Sequence, residues 1–158
     1  APVAGQNFGA GLHDRVRETF RVAAWVGSAM MLLLTVIAHV APEALLGLFT
    51  RDARTIAFGT EYLTIVSYNF LASGLVFSIS GMFQGMGHTV PALLSSASRI
   101  LTFVLPALYL STLPWFGLRH LWYLSVASVL IQLTLSAWLL RREFAARLKP
   151  VAHSPAIA

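Results

Sequence analysis

The stretch Gly81-Met82-Phe83-Gln84-Gly85-Met86-Gly87-His88-Thr89-Val90-Pro91 decides the fold, because it joins two long apolar runs. Gly87 can adopt a positive φ angle at little steric cost, and Pro91 suits the first turn of a helix, where its missing N–H is not needed. This joint, residues 81–91, contains no Lys, Arg, Asp or Glu. It predicts a tight cytoplasmic hairpin between two membrane-spanning helices.

The composition is that of an integral membrane protein. Hydrophobic residues make up 57% of the 158 residues and charged residues only 11%, whereas a soluble domain has about 25% charged residues. The net charge of +5 comes from basic residues near the ends of apolar runs, which predicts contact with anionic lipid head groups and not with nucleic acid. The fold class is therefore an all-α polytopic membrane protein, with the lipid bilayer as its main partner.

Four apolar segments are long enough to cross a membrane: about 20–41, 62–82, 91–111 and 121–140. At 1.5 Å per residue, about 20 helical residues span a hydrocarbon core of roughly 30 Å. A short amphipathic helix that opens at Pro42 is predicted to lie in the interface, and the third span is expected to kink or thin at Pro106.

The positions of the basic residues predict the orientation. Eight of the eleven Lys and Arg residues fall on the side that holds both ends and the joint, and Arg51, Arg54 and Arg119 fall on the other. The excess places both ends in the cytoplasm. The sequence opens on Ala1-Pro2-Val3 without a methionine, so we expect a C-terminal part of a longer protein, with a disordered tail over residues 150–158.

Polar residues of the second span recur with helical spacing. They lie at i, i+7, i+11, i+18 and i+22, on one helical face, and are Tyr62, Asn69, Ser73, Ser80 and Gln84. In lipid such a face meets protein or a water-filled cavity. We interpret it as lining a cavity, while helix packing through small residues stays an open alternative.

Arg99 is the only full charge well inside a span, about 12 Å beyond Pro91 at 1.5 Å per residue. It either snorkels to the head groups or faces a cavity, where it could meet an anionic partner. The chain has no cysteine, its five histidines do not cluster, and zinc-protease, serine-hydrolase and Walker motifs are absent from the sequence. We therefore expect no metal, no cofactor and no enzymatic activity.

Three motifs resemble those of the multidrug and toxic compound extrusion (MATE) family. They are Gly5-Gln6-Asn7-Phe8-Gly9-Ala10 before the first span, Leu48-Phe49-Thr50-Arg51-Asp52 in the external connection, and Gln84-Gly85-Met86-Gly87-His88-Thr89 in the joint. The similarity runs from residue 1 to about residue 145. The residues of these motifs to which we assign a structural role are Gly5, Gln6, Asn7, Gly9, Gly81, Gly85, Gly87 and Pro91.

The resemblance implies a twelve-helix fold of two six-helix lobes, in which residues 1–149 are the end of helix eight and helices nine to twelve of the C-terminal lobe. It implies export of cationic or amphipathic organic compounds, drugs included, across the bacterial inner membrane by antiport with H⁺ or Na⁺. The partners would be the N-terminal lobe of the same chain and small organic substrates.

One departure concerns ion coupling. Some members of the family carry an aspartate on the tenth helix, and the alignment places Ser73 there, with Asn69 one turn earlier. Neither side chain titrates, so no ion ligand is assigned. Asn69, Ser73, Tyr62, Ser80, Gln84 and Arg99 remain the candidates for the substrate cavity. A lipid-linked saccharide flippase of the wider superfamily and a non-transport membrane subunit are the alternative functions.

Overall fold

The computed structural model describes residues 1–148, and the predicted disordered tail lies outside them. Within these residues every regular element is a helix, which confirms the predicted all-α class. The helices are α1 Pro2–Gly9, α2 His13–Val40, α3 Pro42–Gly47, α4 Ala53–Val66, α5 Tyr68–Gly85, α6 Val90–Arg99, α7 Leu105–Leu110 and α8 Leu118–Arg147, with a π-helical segment, Ile100–Val104, between α6 and α7.

Three helical stretches of residues 1–148 are long and apolar enough to cross a membrane: α2, the continuous stretch Val90–Leu110, and α8. Helices α4 and α5 qualify together as a fourth, although they meet at an angle of 49°. The helices are longer than the predicted apolar windows. Helix α2 begins at His13 and not near residue 20, and α8 continues to Arg147 and not to about residue 140, because a helix can run on into the polar interface where water and head groups solvate its side chains.

The second span was predicted as one helix over residues 62–82, and this is wrong in one respect: the chain breaks at Ser67, which is fully buried. The Ser67 hydroxyl donates to the carbonyl of Thr64 at 3.1 Å. The Thr35 hydroxyl of α2 shares its proton between the Met31 carbonyl of its own helix at 2.8 Å and the Ser67 carbonyl at 3.2 Å. Side-chain hydroxyls thus replace part of the backbone ladder, which allows a bend inside an apolar environment.

The distortion predicted at Pro106 is present one turn earlier. The π-helical segment Ile100–Val104 directly precedes the helical turn that contains Pro106. Proline has no N–H to donate, and its ring crowds the carbonyl four residues before it. A wider turn relieves this crowding, and such π segments are often found at functional sites.

The joint is a tight turn, as its glycine and proline predicted. Helix α5 ends in a Schellman motif, in which the His88 N–H donates to the Phe83 carbonyl at 3.0 Å and the Gly87 N–H to the Gln84 carbonyl at 3.1 Å. This motif needs a residue with positive φ, and Gly87 has φ of 70°. Pro91 lies in the first turn of α6.

Helix α5 is the central element, since it packs against α2 on one side and α8 on the other, while α6 packs against α8. The largest buried cluster surrounds Phe83 at the end of α5 nearest the joint, where α1, α2 and α8 meet it. Many large apolar side chains are exposed instead, for example Trp25 at 74% and Phe77 at 75%. These surfaces suit contact with lipid or with further helices.

Candidate functional site

A polar cavity of about 230 Å³ lies where α5, α6 and α8 meet. Seven residues line it: Ser73, Val76, Phe77 and Ser80 of α5, Ser96 and Arg99 of α6, and Gln132 of α8. The four α5 residues share one face because they are spaced by three, one and three positions, and Ser96 and Arg99 are neighbours at i and i+3. Arg99 is the one charged residue in this lining.

Hydrogen bonds between buried side chains hold α6 against α8 beside the cavity. The Ser136 hydroxyl donates to the Gln132 carbonyl of its own helix at 2.7 Å. Ser95 and Ser136 are 2.5 Å apart, so Ser95 must donate in this pair, since the single proton of Ser136 is already used. The Gln132 amide in turn donates to Ser95 at 3.4 Å. Arg99 lies one helical turn beyond Ser95 on α6.

Three of the six predicted cavity residues meet in this site: Ser73, Ser80 and Arg99. Arg99 lies on the cavity wall and its side chain is exposed. Sequence reasoning missed Ser96 and Gln132 as lining residues. Gln132 belongs to a run of polar residues on α8 with helical spacing, Ser125, Ser128, Gln132 and Ser136, and that run was the available signal.

The other three predicted residues lie elsewhere. Asn69 is 7% exposed and packs toward α8, where its amide donates to the Ser125 hydroxyl at 3.3 Å. Tyr62 places its ring edge-on to Trp122, with centroids 5.4 Å apart, and Gln84 is exposed at the end of α5. The predicted stripe assumed an uninterrupted helix, and the break at Ser67 separates Tyr62 from the register of the rest.

The predicted motif residues Gly5 and Gly85 bring α1 and α5 into direct backbone contact. A Cβ atom on Gly5 would lie 2.9 Å from the Gly85 carbonyl oxygen, and one on Gly85 would lie 2.7 Å from the Ala1 carbonyl oxygen. Only glycine allows this approach. Of the other motif residues, Asn7 donates to the Val3 carbonyl at 2.9 Å, Gln6 is exposed, and Cβ atoms on Gly9 and Gly81 would meet no heavy atom closer than 3.9 Å.

A second polar cluster lies at the joint, and the sequence analysis did not predict it. The Glu143 carboxylate near the end of α8 lies 2.8 Å from His88 Nδ1 and 2.9 Å from Arg147 Nε. Arg147 also donates through Nη1 to the Met86 carbonyl at 3.0 Å. The joint contains no Lys, Arg, Asp or Glu, and charged side chains of α8 hold it in place. A spacing of i and i+4 between Glu143 and Arg147 was the only local signal.

Residues 1–148 contain no group of three or more His, Asp or Glu side chains that could hold a metal ion. The candidate site therefore consists of hydroxyls, one carboxamide and one guanidinium. Such groups bind by hydrogen bonding and charge, and none of them is a general base or nucleophile poised by a neighbouring acid or base.

Fold and site together define a polytopic helical membrane protein with a polar cavity between its spans. The MatE family model matches residues 1–110, which include every element from α1 to α7. The chain belongs to this family, as its motifs indicated, and its function is therefore transport across a membrane. The predicted similarity extended to about residue 145, beyond the matched range. No curated protein matches the chain.

Proposed function

We propose that this chain takes part in the export of cationic or amphipathic organic compounds, drugs among them, by antiport with H⁺ or Na⁺. The observation that carries the proposal is the polar cavity with Arg99 on its wall, placed among the apolar helices of a MatE-family chain. Hydroxyls and a charge on a cavity wall within the membrane can bind the polar groups of a solute that crosses from one side to the other. We place the protein in the bacterial inner membrane, with the ends of this chain in the cytoplasm.

The proposal includes a second helical lobe that completes the pathway. The cavity has walls from α5, α6 and α8 only, and Arg99 and Ser96 are exposed on it. A polar wall of this kind does not face hydrocarbon. A facing lobe supplies the opposite wall, and rocking of two lobes about such a site gives alternating access.

Proton coupling requires groups outside the cavity. Its polar lining consists of Ser73, Ser80, Ser96, Gln132 and Arg99, and none of these is a carboxylate or a histidine that could carry the proton. The cavity residues therefore bind the solute. We assign proton coupling to other parts of the transporter.

A lipid-linked saccharide flippase is the second candidate, and Arg99 is the observation that favours it. Lipid-linked diphosphates are anionic, so a flippase needs positive charge on its cavity wall. A single arginine lines the cavity described here. Family transport function argues against the third alternative, a subunit without transport activity.

The test is efflux by cells that produce the full-length protein with Ser73→Leu. Leucine at this position fills part of the 230 Å³ cavity and removes a hydroxyl, so we expect the rate of drug efflux to fall severalfold while the amount of protein in the membrane stays normal. Thr134→Leu is the matched control, because Thr134 is exposed on α8 and away from the cavity. Efflux by Ser73→Leu at the rate of Thr134→Leu would contradict the cavity assignment. Translocation of a lipid-linked saccharide without drug efflux would favour the flippase.

A further inference from the structure

We propose that the cavity around Arg99 binds an acidic oxyanion, a carboxylate or a phosphate, on the transported molecule. The inference rests on the proposed function and narrows its substrate class from cationic and amphipathic compounds to compounds that carry an acidic group. Three features of the cavity support it: an uncompensated charge, free hydroxyl donors, and a volume that suits one polar group.

The charge of Arg99 is uncompensated within residues 1–148. All six acidic residues of the chain are described, and none lies between residues 62 and 142. The α5, α6, π and α7 elements therefore hold no carboxylate, and the one on α8, Glu143, is engaged by His88 and Arg147. Arg17, Arg119 and Arg147 each have an acidic partner, whereas Arg99 has none in this part of the chain.

The serines that line the cavity differ from other serines of the same helices. Ser78 on α5 and Ser98 on α6 donate their hydroxyls to carbonyls of their own helices, at 3.0 and 2.7 Å. Ser73, Ser80 and Ser96 make no hydrogen bond with any residue in the range 1–148. Their hydroxyls are therefore free to donate to a guest in the cavity.

The donors converge from two helices. Ser73 and Ser80 lie on the α5 wall, and Ser96 and Arg99 lie on the α6 wall. The guanidinium and the serine hydroxyls can each donate a hydrogen bond toward the cavity, which matches an oxyanion that accepts several hydrogen bonds at once. A cationic group in the same place would meet the like charge of Arg99.

The part of the cavity that this chain walls has a volume of about 230 Å³. This space accommodates an acidic group and its immediate neighbours, while the apolar remainder of the molecule extends toward Phe77, which is 75% exposed at the cavity edge. The oxyanion can come from a dissolved organic acid or from the head group of an acidic lipid.

The experiment uses the purified full-length protein in phosphatidylcholine nanodiscs and two probes, a zwitterionic fluoroquinolone with a free carboxylate and its methyl ester. We expect the wild type to bind the acid about 10- to 100-fold more tightly than the ester, the range for hydrogen bonds to a charged group. Arg99→Gln should abolish this preference and Arg99→Lys should retain part of it. Arg51→Gln, an exposed arginine before α4, should leave the preference unchanged.

A second variant protects the test against misfolding of Arg99→Gln. Ser96→Ala removes one hydroxyl at an exposed helical position, and we expect it to reduce the preference for the acid about tenfold, the lower end of the range for a hydrogen bond to a charged group. Nanodiscs of phosphatidylglycerol separate the two sources of the oxyanion. If that acidic lipid removes the preference in the wild type, a lipid head group occupies the cavity, and if it does not, the dissolved acid does.

Equal affinity of the wild type for acid and ester, or an unchanged preference in Arg99→Gln, would overturn the inference. Either result is compatible with efflux of cationic drugs, so the proposed function would stand. The opposite result, an Arg99-dependent preference without any efflux, would support the anion site and contradict the export function.

Discussion

Glu143 connects the joint to the end of α8, and its replacement by glutamine is predicted to loosen the joint. The side chain of Glu143 is only 11% exposed, and its carboxylate accepts from His88 at 2.8 Å and pairs with Arg147 at 2.9 Å. Arg147 in turn donates a hydrogen bond from Nη1 to the Met86 carbonyl at 3.0 Å. Glutamine keeps one acceptor oxygen but removes the negative charge that orients both partners.

The size of the effect follows from the two bonds. A hydrogen bond to a charged group contributes about 1.5–3 kcal/mol. The side chains of His88 and Arg147 are 37% and 38% exposed, so water recovers part of this loss. We expect a loss of about 1–2 kcal/mol for Glu143→Gln and about 3 kcal/mol for Glu143→Leu, because leucine removes both acceptors. A loss of 1 kcal/mol lowers the melting temperature of a 150–250-residue domain by about 2–4 °C.

Amide hydrogen exchange of the full-length protein measures the effect where it occurs. Exchange should accelerate over residues 86–90 and at the end of α8, about 5- to 30-fold for 1–2 kcal/mol, while the middle of α2 keeps its protection. Glu18→Gln is the matched control, since Glu18 is exposed on α2 and makes no hydrogen bond or ion pair within residues 1–148. If Glu143→Gln leaves exchange in the joint equal to that of Glu18→Gln, the cluster does not hold the joint and the reasoning is refuted.

Three further predictions concern α1, α4 and α5. Gly85→Ala should lower the melting temperature and Gly9→Ala should not, because a Cβ on Gly85 lies 2.7 Å from a backbone oxygen while one on Gly9 meets nothing within 4 Å. Asp52 caps α4 and accepts from the Thr55 hydroxyl and amide, which hold the pKa of Asp52 below its usual range. Asp52→Ala should therefore be less stable than the wild type at pH 7, and the difference should shrink as the pH falls through the lowered pKa of Asp52. Asn69→Ala should reduce thermal stability without changing the KM for transport, since Asn69 packs toward α8 and does not line the cavity; an altered KM at normal stability would contradict this.

Local features of the sequence predicted the parts of the fold that depend on local chemistry. The turn at Gly87 requires a positive φ, and the helix start at Pro91 requires no amide donor, so each residue specifies its own conformation. The break at Ser67 could not be predicted in this way. The Ser67 carbonyl at the break is contacted by the Thr35 hydroxyl, which lies 32 residues away on α2, and spacing within one helix does not reveal such a contact.

The sequence predicted the candidate site only in part, because contacts between helices decide which side chains line it. Helical spacing placed Ser73 and Ser80 on one face, and charge alone singled out Arg99. Spacing does not say whether a serine hydroxyl is bonded to its own helix or free. Ser96 and Ser98 lie two positions apart on α6 and carry the same hydroxyl. Ser98 donates to the Ser95 carbonyl, whereas Ser96 lines the cavity. Tertiary packing decides between the two.

The distribution of charge argues that the cavity is never dry. Glu143 is the one carboxylate on the elements that surround the cavity, and it is paired at the joint. Within residues 1–148, Arg99 therefore has no acidic partner for its positive charge. Because an unsolvated charge inside a membrane is costly, the guanidinium must be covered by water when the cavity is empty and by a polar guest when it is occupied. Binding is then an exchange of water for ligand at Arg99, and the oxygens of an acidic group replace the hydrogen bonds that the departing water supplied.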